Sequence, residues 1–166
     1  MEIRRRFNLG RVRPILISAY FISFSLFLWI GLMPVEATDY NIVAELKIPA
    51  INLSSDVTKL EMDNHNLKTP DRIVGGFSRS KNKTLLIGHS STVFKDLFDL
   101  KIDDIVIYDE ETFRVTNISI PRKDDINMSN VLAGGDKNTI ILMTCAGKDL
   151  GHGDSTHRLI ITAEVE

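Results

Sequence analysis

The chain has 166 residues, of which 43% are hydrophobic, 25% charged and 7% aromatic, a balance that suits one globular domain with a small additional segment. Its formal charge of −2 is uneven: residues 1–13 carry five arginines against Glu2, a net of +4, which leaves −6 for the rest. The remainder therefore lacks the clustered basic surface that nucleic acid needs, and its single cysteine, Cys145, excludes an internal disulfide.

Residues 1–13 read as a basic cytoplasmic segment. Residues 14–35 read as a transmembrane signal-anchor. From Ile15 to Val35 the chain is apolar and uncharged, and about 20 such residues at a rise of ~1.5 Å span the ~30 Å hydrocarbon core. The arginines precede the span, so the positive-inside rule places the N-terminus in the cytoplasm and the following domain outside. Val35-Glu-Ala37 also resembles a signal-peptidase site. The apolar run, however, is longer than the usual ~7–15-residue core of a cleaved signal, so a retained anchor is expected. Either way, the domain is exported.

Residues 36–41 form a polar linker. Ile42 to Ile48 alternates as a strand and is stopped by Pro49. Ile51-Asn-Leu53 is a short extended piece, and residues 54–72, without a clean period, read mainly as loop. Ile73-Val-Gly-Gly76 reads as a strand end and turn, and Ser78 to Lys83 as a charged turn. Thr84-Leu-Leu-Ile87 has the length and composition of a buried strand, ended by Gly88-His89. Ser91 to Phe98 is expected to be a short helix capped by Ser91, with Phe94, Leu97 and Phe98 on one face. Ile102–Tyr108 and Thr112–Ile120 form a hairpin around Asp109-Glu-Glu111. Ile126 to Leu132 is a second short helix, closed by Gly134-Gly135. Residues 139–162 then give a buried strand, a Gly-rich polar loop and a final strand. Many short strands and few helices imply a mainly β fold, a closed or nearly closed barrel over residues 42–166.

The chemistry centres on that last stretch. A lone Cys is ordinarily a small buried hydrophobe. Cys145, however, stands at a strand end beside a Gly-rich loop, and Arg158 stands at the loop-side end of the next strand, where the two face one another. A thiol becomes a nucleophile when nearby positive charge or a base populates its thiolate. His89, projecting from a Gly-His turn after a buried strand, is the leading base. His152 and His157 are rivals in the loop after Cys145, and His65 lies in a polar loop. Arg158 offers a rigid fork of donors for a developing oxyanion. Asp124, Asp125, Asp149 and Asp154 supply carboxylates whose spacing fixes no role. A structural zinc site on Cys145, His152 and His157 lacks the paired cysteines such sites bring, so no metal ligand is expected.

These motifs together resemble the sortase family of cell-surface cysteine transpeptidases. Leu46-Lys-Ile-Pro-Ala-Ile51 is similar to the family's opening strand. Ile87-Gly-His-Ser90 followed by Phe94-x-x-Leu97 resembles its Gly-His segment. Ile141-Leu-Met-Thr-Cys145 with Arg158 thirteen residues on resembles its Thr-Leu-x-Thr-Cys signature and downstream arginine. Ile141 replaces the signature's first Thr, and Ser90 follows the His where many members carry Arg or Asn, so no subclass is assigned. The resemblance implies a closed eight-stranded barrel and a catalytic set of His89, Cys145 and Arg158, with Thr144 binding substrate. Its implied substrates are surface proteins with a C-terminal Leu-Pro-x-Thr-Gly-like motif. The acyl group would pass through a thioacyl enzyme to an amine on a cell-wall precursor or a pilin subunit. No organic cofactor is implied; calcium occurs in some sortases, but no residue here can be matched to a site. The resemblance also implies a single-pass cell-membrane protein, held in the lipid bilayer by residues 14–35, with no nucleic-acid partner. The alternatives are another exported cysteine acyltransferase or hydrolase, or a non-catalytic anchored barrel that binds a surface ligand. The Ser-His-Gly-Cys run typical of L,D-transpeptidases is absent around Cys145.

Overall fold

The computed structural model describes residues 40–60, 62–63, 66–67, 69–151 and 154–166. The expected cytoplasmic segment, the anchor and most of the linker lie outside the described residues. Among the described residues, no helix is long and apolar enough to cross a membrane.

Ten strands follow in chain order: β1 (Ile42–Ile48), β2 (Leu53–Lys59), β3 (Met62–Asp63), β4 (Asn66–Leu67), β5 (Val74–Ser80), β6 (Lys83–Ile87), β7 (Ile105–Tyr108), β8 (Glu111–Ser119), β9 (Thr139–Gly151) and β10 (Asp154–Val165). One short helix, α1 (Met128–Val131), lies between β8 and β9. Eight strands close a barrel in the order β1-β2-β5-β6-β9-β10-β8-β7, and β3 and β4 pair as a separate ribbon. Leu46 opposite Tyr108 and Lys47 opposite Ile107 make the closing contact. Most neighbours are antiparallel, but β2–β5 and β6–β9 are parallel. The eight-stranded barrel expected from the resemblance is therefore present.

Two apolar clusters explain why β9 is apolar without alternation. Ile140, Leu142 and Ala146 enter the barrel interior with Leu46, Leu86, Phe94, Leu159 and Ile161. Ile141 and Met143 face outward, yet they are buried against Leu85, Ile160 and Leu132, with Ile126, Met128 and Val131 packed alongside. The excursion carrying α1 thus covers the outer face of β6 and β9. A strand flanked on both sides by packed layers reads as a continuous hydrophobic run. Asn127 starts α1 by accepting hydrogen bonds from the amides of Ser129 and Asn130, as an N-cap side chain does.

Several local expectations change. Residues 53–59 form a strand instead of a loop, because pairing with β1 and β5 outweighs the polar run Ser54-Ser-Asp56. Gly75 and Gly76 lie inside β5 instead of in a turn. A Cβ on Gly75 would come within 2.7 Å of the Leu60 side chain, so the glycine marks a close approach of packed chain, a recognised use of glycine in a strand. Ser91–Phe98 is a series of turns ending in a 3-10 turn at Leu97–Asp99 instead of a helix. Its amides mostly bond three residues back, as in Leu97 to Phe94 and Leu100 to Leu97. That three-residue repeat buries Phe94, Leu97 and Leu100, and it leaves Phe98 48% exposed. The segment 146–157, expected as a loop, is largely a paired hairpin with register shifts around Ser155.

Phe94 is fully buried, and its amide bonds the carbonyl of His89 at 3.0 Å. Phe94→Ala is expected to cost about 3–5 kcal/mol. A lower urea midpoint at unchanged slope, measured on the full chain in detergent, would show it; an unmoved midpoint would contradict this packing.

Candidate active site

Parallel pairing of β6 and β9 is what assembles the site. Both strands run the same way, so the residues after β6 leave the sheet at the end where Cys145 stands. The register places Ile87 opposite Met143, and the Gly88 amide donates to the Met143 carbonyl at 3.3 Å. His89 therefore emerges one step beyond the buried part of β6, beside the strand carrying the thiol. A Cβ on Gly88 would lie 2.6 Å from Val93 and 2.8 Å from the Phe94 ring, so only glycine lets this turn fold over its own apolar support.

Strand alternation sorts Thr144 from Cys145. Cys145 shares the outward face of Ile141 and Met143 and is partly exposed; it stands midway along β9 instead of at a strand end, two residues beyond the last pairing with β6. Thr144 points the other way and is 2% exposed. Its hydroxyl donates to the Gly88 carbonyl at 2.7 Å. Thr144 was expected to bind substrate; in this structure its hydroxyl serves the Gly-His turn, tying it to β9 from inside the barrel.

His89, Ser90, Cys145, Asp149, Asp154 and Ser155 line a cleft of about 230 Å³. A larger groove, about 630 Å³, lies between the β1–β2 turn and residues 92–96. It contains neither a cysteine nor a histidine, so the chemistry belongs to the smaller cleft. The His89 ring is about one-third exposed, and its Nε2 stands 3.8 Å from an Asp71 carboxylate oxygen. That exceeds hydrogen-bond length, and the Asp71 side chain is 92% exposed. Asp71 is itself held by the Thr92 hydroxyl, which donates to its backbone carbonyl. Nothing in the sequence marks Asp71, because turns eighteen residues apart bring it to His89.

His157 does not line the cleft. Its Nδ1 is 2.8 Å from the Thr156 hydroxyl on the hairpin. Of the other histidines, the rival His152 and the loop residue His65 lie outside the described residues. Among those described, His89 is the imidazole at the thiol's cleft.

Arg158 lies directly opposite Cys145 in the β9–β10 register, so both side chains leave the same face of the sheet. The guanidinium is firmly held. Its Nη1 donates to the Ser155 carbonyl at 2.9 Å, the Ser155 hydroxyl at 3.1 Å and the His157 carbonyl at 2.9 Å. Its Nη2 donates to Asp154 at 2.6 Å. Asp154 also accepts from Lys123. Hydrogen bonds from Lys123 and then from Arg158 and the Ser155 amide hold the Asp154 carboxyl far below the usual carboxylate range. A depressed carboxylate contributes its interaction above its unfolded value and loses it as pH falls through the folded one. The Asp154 contact thus persists through neutral pH and is lost only in strong acid. Neither Asp154 nor Lys123 stands out in the sequence; a carboxylate four residues before Arg158 within a hairpin was the available signal.

The amide after a nucleophile is a common oxyanion donor, but here the Ala146 amide is engaged by the Ser155 hydroxyl at 3.1 Å. Among the described residues, no three His, Cys, Asp or Glu side chains gather to hold a metal ion.

The sequence from residue 46 to residue 166 matches the model of the Sortase domain. No curated protein matches the sequence. Among solved structures, sortase A from Corynebacterium diphtheriae is 23% identical with a TM-score of 0.58, over 77% of this chain and 62% of that one. Sortase A of Listeria monocytogenes is 17% identical with a TM-score of 0.59, over 75% and 87% of the two chains. Sortase C from Clostridium perfringens is 18% identical with a TM-score of 0.58, over 96% and 92%. At these identities the likeness shows the fold: a barrel that sets the ends of two parallel strands beside the start of a third. With the domain model matched over well more than half the chain, this chain belongs to the sortase family, whose members are cysteine transpeptidases.

Proposed function

We propose that this protein is a membrane-anchored transpeptidase that cleaves a Leu-Pro-x-Thr-Gly-like motif near the C-terminus of exported surface proteins. It joins the new acyl end to an amine of a cell-wall precursor or a pilin subunit. The observation that carries the reading is that His89 and Cys145 line one cleft, while Arg158 is the register partner of Cys145 on the neighbouring strand.

The Cys145 sulfur attacks the Thr carbonyl carbon, and the carbonyl oxygen takes up negative charge facing Arg158. When the Thr–Gly bond breaks, the departing glycine amine takes a proton from the His89 imidazolium, leaving a thioester on Cys145. An incoming amine then attacks the thioester and gives its proton back to His89, and the Cys145 thiolate departs. One amide exchange is thereby split into two easier steps. Residues 14–35 hold the domain on the outer face of the cell membrane, where exported proteins emerge. The test is mass spectrometry of the full chain incubated with a Leu-Pro-x-Thr-Gly peptide library. A covalent acyl adduct on Cys145 that an added amine discharges is expected. No adduct from any member would overturn the reading.

A further inference from the structure

The Arg158 guanidinium meets more acceptors than an arginine needs to stay folded against its own strand. Asp154 meets it through one carboxylate oxygen, which also accepts from the Ser155 amide at 2.8 Å. The other oxygen takes Lys123, which comes from the turn after β8. That turn is further strapped to the start of β10: the Arg158 amide donates to the Pro121 carbonyl at 3.1 Å, and Arg122 bridges His157. Asp154 therefore sits where two loops and the cleft meet, with Arg158 on one side and Lys123 on the other.

Stability does not account for this arrangement. The Lys123 side chain is 48% exposed and that of Asp154 34%, and ion pairs between such groups contribute little to folding. The Arg158 side chain is only 17% exposed, and it is the group whose direction matters. A free arginine carries about 2 kcal/mol of rotamer entropy. Donors that stabilise developing charge work best when already aimed, with no reorganisation during the reaction.

We propose that Asp154 is the positioning residue for Arg158: it sets the plane and direction of the guanidinium opposite Cys145, and through Lys123 it makes that direction depend on the turn between β8 and α1. This rests on the transpeptidase reading above. Asp154 acts through Arg158, whose Nη2 it holds. Loss of the carboxylate frees Nη2 and leaves the guanidinium held through Nη1 alone, by Ser155 and the His157 carbonyl, so that it can pivot while the hairpin stays paired.

The test uses the full chain with Asp154→Ala, Asp154→Asn and Asp154→Glu. Lys137→Met, which breaks the Lys137–Glu164 pair at the opposite end of β10, is the control. With a Leu-Pro-x-Thr-Gly peptide, Asp154→Ala and Asp154→Asn are expected to slow thioacyl formation by about tenfold to a hundredfold, the scale of a misdirected group. The loss should fall on the rate at saturating peptide. Asp154→Glu should recover part of it, and the control should match the wild type. The urea midpoint and the rate of Cys145 alkylation by iodoacetamide should not move. Independently of substrate, the side-chain ¹⁵N resonances of Arg158 should show hindered rotation in the wild type and averaged Nη signals in Asp154→Ala. Wild-type thioacyl rates in Asp154→Ala, or unaltered Arg158 resonances, would overturn the proposal. If the wild-type chain forms no thioacyl adduct, the transpeptidase reading fails and the resonances alone decide whether Asp154 positions Arg158.

Discussion

Cys145→Ala is expected to abolish both the acyl adduct and amine transfer while leaving the fold in place. The change removes one sulfur from a partly exposed position midway along β9, and substitutions at such positions ordinarily shift stability by about 0.5 kcal/mol or less. The apolar run Thr139–Thr144 that seats β9 is untouched. The chemical loss is complete in kind, because no second cysteine exists to take over and alanine offers no nucleophile. Cys145→Ser is expected to be nearly as inactive, since its hydroxyl ionises far less readily than a thiol. Mass spectrometry of the peptide-treated variants, with circular dichroism for the fold, checks both. Transfer that survives in Cys145→Ala would refute the mechanism at its root.

His89→Ala is expected to lower the rate of thioacyl formation by about 10²–10⁴, the usual worth of a positioned proton-transfer group. Cys145 remains in place, so residual adduct should accumulate slowly. The decline should appear mainly in kcat, because the imidazole matters most as the glycine amine departs. The ring is about one-third exposed in an open cleft, and the cavity left by alanine should admit free imidazole. Partial recovery of the rate in imidazole buffer is the expected signature of a missing proton carrier. A variant as fast as the wild type would move the proton-transfer role to another group. An equal loss that imidazole does not relieve would point to collapse of the Gly88-His89 turn instead.

Much of the site was legible because the relevant couplings are local or nearly so. Cys145 and Arg158 belong to one antiparallel hairpin, and the two strands meet across a connection short enough to read directly. His89 was legible through its setting, a Gly-His turn closing a four-residue apolar strand. The barrel was legible as a count of short strands. Less local features were not. β2 carries Ser54-Ser-Asp56 and is a strand only because β1 and β5 flank it. Gly75 and Gly76 looked like a turn because glycine is ambiguous without the packed Leu60 that occupies the space a side chain would need. The 3-10 turns at residues 91–99 differ from a helix by one residue per repeat, and burial of Phe94, Leu97 and Leu100 against the barrel selects the tighter spacing.

The sequence by itself determined the candidate set: one thiol, an arginine on the next strand, and a histidine ending a buried strand. Those are properties of residue type and short-range periodicity, which any fold must respect. Only the tertiary structure decided that β6 and β9 run parallel, which brings His89 to the thiol from 56 residues away. Only the tertiary structure turned Thr144 inward onto Gly88 and engaged the Ala146 amide with Ser155. The same holds for the Asp154 carboxylate between Arg158 and Lys123. These arrangements depend on strand register and on loops that meet in space, and neither has a period that a linear chain displays.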